Sequence, residues 1–270
     1  MFFYKSFRIK ILLVLFIFIL LIMLYFYKED KFNKKTFFIV NTEDAFNDIK
    51  TDTSESYLIY KDYVNKKIDS NFALKKYKEI LANNRNNTFT TIKVLTNKAR
   101  LLIDLKEYDN SEKILLSLIN QYHLESDYII EALYLLGELY SIKSTVTRKD
   151  YYNESIQCLE KILTASDTSS FNYYRALSKI SDIRYRKIIK GKGNAFELLN
   201  AINFLLKNKY TQYNREQLRL SFQKYNILVK IGKKELAFEE KIQCKSIYDI
   251  LNKNNQIPDK IKKYYENILK

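Results

Sequence analysis

Residues Ile11 to Tyr27 form an unbroken apolar run, ILLVLFIFILLIMLYFY, with Lys10 before it and Lys28 behind it. Beyond that point, apolar positions recur every three or four residues among charged ones, the spacing of amphipathic helices. The pattern predicts one membrane-crossing helix followed by a helical, water-exposed domain. At about 1.5 Å per residue the run reaches roughly 25 Å, slightly less than a ~30 Å hydrocarbon core. Ile9 lengthens it, the flanking lysines can snorkel, and Tyr25 and Tyr27 fall where interfacial aromatics belong. A cleaved signal peptide is the rival reading, because Lys5, Arg8 and Lys10 make a basic leader. Against it, the run exceeds the usual apolar core of about 7–15 residues, and KEDKFNKK offers no small-residue cleavage site. No early cysteine marks a lipoprotein. The segment is read as an uncleaved anchor.

Basic residues nearly balance across the span, with Lys5, Arg8 and Lys10 before it and Lys28, Lys31, Lys34 and Lys35 after it. Short N-terminal tails of signal-anchor type usually stay cytoplasmic, which places the domain outside. The expected layout is a basic tail (1–10), an anchor (11–27), a juxtamembrane linker (28–53) and a helical domain (54–270). The expected location is the inner membrane, single-pass, with the domain in the periplasm. Within the linker only Phe37-Phe38-Ile39-Val40 is apolar.

Composition narrows the fold of the domain. The chain has 270 residues with four glycines, one proline and no tryptophan. Sandwiches and barrels need Gly and Pro in many turns, and α/β folds need Gly-rich loops. Their scarcity predicts helices joined by short connections.

The apolar spacing also repeats at a longer interval. Leu133-x-x-Leu136-Gly137-x-x-Tyr140 lines one helix face, and a second helix is expected from near Tyr152, with Ser155 and Leu159 facing Gly137. Thr145 to Asp150 would fill the turn between them. Upstream, Leu95, Ala99 and Leu102 face Ser111 and Leu115 across the Lys106–Tyr108 turn. Further back, Tyr60 and Val64 face Ala73 and Tyr77 across Lys67-Ile68-Asp69. Near the C-terminus, Tyr225 and Leu228 lead through Gly232 to Ala237. A unit over about Asn172 to Asn208 has an amphipathic first helix, and its second admits two registers, around Ala195 or Ala201. A final helix, IPDKIKKYYENIL, would cap the apolar end of the stack, with Pro258 in its first turn.

This motif resembles the first helix of the tetratricopeptide repeat, W-x2-L-G-x2-Y, with Leu133 at the Trp position. The resemblance covers about residues 54–251. It implies an all-α fold, a tetratricopeptide-like solenoid of antiparallel helix pairs with a C-terminal capping helix, here preceded by one transmembrane helix. It also implies that Gly232 ends its helix in a left-handed conformation. Departures are clear: the repeats lack Trp and the closing Pro, Lys241 stands where an aromatic is expected, and the small-residue intervals of 38 to 44 exceed the family's 34. An all-helical bundle would share the apolar spacing but not the recurring Gly, Ala and Ser contacts.

Catalytic chemistry finds little to work with. His123 is the sole histidine, so no His-based metal cluster forms, and no phosphate-loop motif is present. Gly191-Lys192-Gly193-Asn194 reads as a basic turn, and Glu239-Glu240 as part of a solvated helix face. Asn86 and Asn153 begin glycosylation-type sequons without further context. Cys158 and Cys244 fall in helical patterns as small core residues. No enzyme, cofactor or metal is expected.

In the family it resembles, first helices line a concave surface that holds peptides or partner helices. Carried over, that places Asp62, Arg100, Glu138, Asp182 and Asn226 on the groove wall, with Asp104, Tyr134, Arg186 and Lys230 one turn further along. The expectation is a membrane-anchored scaffold for protein or peptide partners, in envelope assembly or secretion. The layout resembles the ancillary subunit of the bacterial Sec translocon. Net charge is +15, or +12 without the three basic residues of the N-tail, with acidic and basic residues interspersed. The alternative is therefore a cationic adaptor for anionic lipid or a cell-wall polymer. Nucleic acid lacks a supporting motif.

Overall fold

The computed structural model describes residues 54–122, 127–147, 149–211, 215–257 and 259–269. The anchor, the linker, His123 and Pro258 lie outside the described residues. Among those described, no helix is long and apolar enough to cross a membrane, and every regular element is helical. In chain order these are α1 (Glu55–Val64), α2 (Ser70–Asn83), α3 (Thr88–Asp104), α4 (Tyr108–Gln121), α5 (Asp127–Val146), α6 (Tyr152–Ala165), α7 (Phe171–Ile189), α8 (Ala195–Leu206), α9 (Arg215–Lys230), α10 (Lys234–Lys253) and α11 (Asp259–Leu269). A single 3-10 turn, Lys209–Thr211, precedes α9.

Helix starts follow from short polar side chains. Ser54, Asp69, Asn87, Ser170 and Asn194 each accept a first-turn backbone N–H, relieving donors that have no partner inside the helix. Helix ends follow from one recurring turn. At the ends of α1, α3, α7 and α9, residues Lys66, Lys106, Gly191 and Gly232 take left-handed φ values of 58°, 64°, 81° and 76°. In each case the next residue's N–H returns to a carbonyl five positions back, as from Lys67 to Asp62 and Lys233 to Leu228, both at 2.9 Å. This is a Schellman closure. Gly232 adopts the conformation expected of it, and two lysines adopt the same one at greater cost, since a Cβ disfavours that region.

Odd and even helices pair antiparallel, α1 with α2 through α9 with α10, and each pair stacks on the next. First helices also pack directly on one another, α1 on α3, α3 on α5 and, more lightly, α5 on α7. No second helix makes a comparable approach to the next second helix, so the odd helices line the inner, concave side. Five apolar clusters run along the stack, each drawn from consecutive helices. The first joins α1 to α3 through Ala73, Tyr77 and Val94, and the last joins α9 and α10 to α11 through Phe222, Tyr248 and Leu269. All of these clusters close within residues 54–269, so the unit carries its own core.

The small-residue contacts explain why the pairs are close. A Cβ on Gly137 would lie 2.9 Å from Leu159 Cγ and 3.3 Å from the Ser155 carbonyl. Ser155 Oγ donates to the Gly137 carbonyl, and Ser111 Oγ donates to that of Ala99 at 2.9 Å. Ala73, Ala99, Ser111 and Ser155 are fully buried. Leu95, Leu115 and Tyr140 pack in the same region, and α11 covers the last pair as a cap.

Four expectations need correction. Val64 is exposed rather than part of the first seam, which uses buried Ser56 instead. Thr145 and Val146 belong to α5, so the turn before α6 is shorter than Thr145–Asp150. Neither Ala195 nor Ala201 sets the register of α8. The fourth residue of α2, α4, α6 and α10 is Ala73, Ser111, Ser155 and Ala237, and in α8 that place belongs to fully buried Leu198. A leucine there holds α7 and α8 apart by its own volume. Glu240 is not solvated: it is 3% exposed and paired with Lys224 at 2.6 Å, because it faces α9 while Glu239 points outward.

Candidate partner-binding wall

On each first helix, residues three and four apart share the face turned to the concave side. Polar side chains on successive helices meet there at intervals of about one repeat. Tyr60 of α1 donates its hydroxyl to Asp104 of α3 at 2.9 Å, and its ring lies 5.3 Å from the Arg100 guanidinium. Arg100 donates to Asn97 at 3.0 Å and to Glu131 of α5 at 2.6 Å. Arg175 of α7 donates to the other oxygen of Glu131 and stacks 4.1 Å from the centroid of Tyr134. Lys179 of α7 pairs with Glu138 of α5 at 2.7 Å.

The ladder continues to α9 through longer side chains. Arg219 donates to Glu216 on its own helix and reaches across to Asp182 and Ser178 of α7. Gln223 donates to Asp182 at 2.6 Å, and Asn226 donates to the Tyr185 hydroxyl at 2.9 Å. Side chains, rather than close backbone approach, join α7 to α9.

Electrostatics follow from this geometry. Burial works to raise the Glu131 carboxyl, yet the guanidiniums of Arg175 and Arg100 outweigh it and hold Glu131 below the usual carboxylate range. Glu216 goes the other way, because burial raises it more than its hydrogen bonds from Ser178 and Tyr174 lower it. Burial also pushes the Tyr60 and Tyr134 hydroxyls upward, so both remain neutral donors.

Of the residues expected on the wall, Arg100, Asp104, Tyr134, Glu138, Asp182 and Asn226 take part in this ladder. Asp62 instead pairs with Lys67 at the α1–α2 turn, 3.2 Å away. Arg186 and Lys230 are exposed at the C-terminal ends of α7 and α9, outside the ladder. Reading one helix at a time missed Glu131, Arg175, Lys179, Glu216 and Arg219. Their signal lay in opposite charges 31 to 44 positions apart, visible only once the repeat interval is applied. Among the described residues no group of acidic, histidine or cysteine side chains is placed to hold a metal.

No protein-family model matches the chain, and no curated protein matches it. Solved structures do. One is of a kinesin light chain-like protein of Podosopora anserina with nearly identical TPR-like repeats, 12% identical, with a TM-score of 0.53 over 71% of this chain and 92% of that one. A single-substitution variant of the same protein gives 11% identity and a TM-score of 0.55 over 73% of this chain and 94% of that one. At such identity the likeness shows the fold alone. The helical unit has a TPR-like repeat fold.

Proposed function

We infer that the chain is a membrane-anchored scaffold whose first-helix wall receives protein or peptide partners. One observation carries this reading. The wall presents half-buried tyrosines and charged groups already fixed by bonds between neighbouring helices. Such a surface loses little side-chain entropy when a partner docks, and tyrosine adds contact area at low entropic cost. A TPR-like solenoid without catalytic machinery suits holding rather than converting its partner.

The apolar run at 11–27 supports anchoring, and the short basic tail before it supports a domain on the periplasmic side of an inner membrane. A role in envelope assembly or in handling secreted chains follows from that placement. The test is affinity capture from cells, comparing wild type with Tyr134→Ala and Glu138→Lys. Loss of the same captured proteins from both variants is expected. Unchanged capture by both would contradict a wall-based contact.

A further inference from the structure

The recurring Schellman turn does more than end a helix. Because the pairs are antiparallel and stacked, every turn from an odd helix to the next even helix lies along one edge of the unit. That edge carries a lysine at or beside each left-handed residue: Lys66, Lys106, Lys192 and Lys233. All four are exposed, and among the described residues none of them makes an ion pair. Others nearby are engaged, Lys67 with Asp62 and Lys190 over the Tyr152 ring. Two acidic residues in these turns have a local structural task, since Asp69 and Asp150 accept backbone N–H groups at helix starts. The opposite edge differs. Its connections, Asn84–Asn87 and Ser166–Ser170 among them, are mostly uncharged polar.

Exposed apolar side chains flank the same turns. In the first, fourth and fifth pairs, the last turn of the odd helix presents Val64, Ile189 and Val229, and the first turn of the even helix presents Phe72, Phe196 and Leu236. Phe196 is 66% exposed. Leu58, Phe89, Phe204 and Ile250 are exposed towards the other edge, but without a matching row of unpaired lysines. Lys66 and Lys106 hold left-handed backbone where glycine is least costly, so lysine is kept at these tips against local preference.

We propose that this edge docks on an anionic lipid surface. Lysines reach the headgroup layer, while the valine, isoleucine, leucine and phenylalanine side chains beside them enter the upper acyl boundary. The chain has its own apolar run at 11–27, and residues 28–53, at ~3.3 Å each, can extend up to roughly 85 Å. That length lets the unit settle on a bilayer by its edge, leaving the first-helix wall open to a partner. The lipid contact goes beyond the partner-binding reading and stands on different residues.

The test uses the helical unit 54–270, whose core is internal, so the apolar run cannot contribute. Flotation is measured with vesicles of phosphatidylcholine alone and of phosphatidylcholine with phosphatidylglycerol. Two variants of equal charge change are compared: Lys106→Glu/Lys192→Glu/Lys233→Glu on the edge, and Arg85→Glu/Lys207→Glu/Lys253→Glu on the opposite side. Far-UV circular dichroism confirms folding, and the corresponding Gln variants serve if a Glu triple does not fold. The expected result is binding that requires phosphatidylglycerol, with the edge triple weakened about tenfold or more and the opposite triple retaining most of it. Equal loss in both triples would reduce the effect to net charge and overturn the proposal. So would absence of a phosphatidylglycerol preference, or lysines that govern binding to a nucleic-acid duplex while vesicles are ignored. Capture of protein partners by the edge triple separates this outcome from failure of the wall.

Discussion

Gly137 and Leu159 touch across the seam of α5 and α6, leaving no room for a Cβ: a methyl on Gly137 would sit 2.9 Å from Leu159 Cγ. In an open helix, Gly→Ala is stabilising by roughly 0.5–1 kcal/mol. Here the clash reverses the sign. Gly137→Ala is expected to cost about 1–3 kcal/mol, and Gly137→Leu more, read as a fall in the urea midpoint of the 54–270 unit. Leu159→Ala alone should cost about 2–5 kcal/mol through its cavity. The double variant should cost less than the sum, because each change makes room for the other. Simple additivity would mean that the two residues do not share the seam.

Glu131 bridges Arg100 and Arg175 and thereby links three successive first helices. Its folded carboxyl is held low, so the folded state binds fewer protons than the unfolded one. The stability it adds is therefore complete above the unfolded value near 4.3 and is lost as pH falls through the folded value. Glu131→Gln should destabilise the unit at neutral pH and flatten the drop in stability below about pH 4.5. Thermal unfolding across that range, wild type against variant, measures it. An identical acid limb in both would show that Glu131 is not the coupling group.

Glu240 is 3% exposed and faces Lys224 at 2.6 Å, with its second oxygen buried and without a hydrogen-bond partner. Lys224→Met leaves that carboxylate alone in the α9–α10 interface, at a cost of about 3–5 kcal/mol. Lys224→Met with Glu240→Leu should recover most of the loss, since removing both charges removes the desolvation penalty. Denaturant titration of the single and double variants decides the matter.

The two thiols should be inert in the folded protein. Burial raises Cys158 to about 11 and Cys244 to about 12, the latter helped by Glu240. Thiolate is the reacting form, so a chromogenic disulfide reagent should label neither under native conditions and both after unfolding. Rapid native labelling of either would show that its helix pair opens.

How far these features could be read from the sequence depends on whether their cause is local. The Gly137 seam was legible, since Leu133, Leu136, Gly137 and Tyr140 keep the motif within one helix, and Ser155 and Leu159 follow in the next. Gly232 was legible as a left-handed turn because glycine announces it. Lys66 and Lys106 do the same without glycine, so their conformation was hidden. Leu198 disguised the α8 register by placing a large side chain where the other pairs have a small one. Glu239 and Glu240 look alike in sequence, yet about 100° of helical rotation separates solvent from interface. The wall ladder was half legible: individual positions could be assigned to the concave face, but the partners of Glu131 and Arg219 lie a repeat away. Residues 1–53 fall outside the described residues, so the anchor keeps the standing the sequence gives it.

Site-specific photo-crosslinking in intact cells tests the central claim most directly. A photoreactive residue placed at Tyr134, Glu138 or Asp182 on the first-helix wall, and at Glu160 on α6, samples the inner and outer sides of the same stack. The account predicts covalent adducts with protein from the wall positions and none from Glu160. Adducts from Glu160 alone, or equal adducts from both sides, would contradict it.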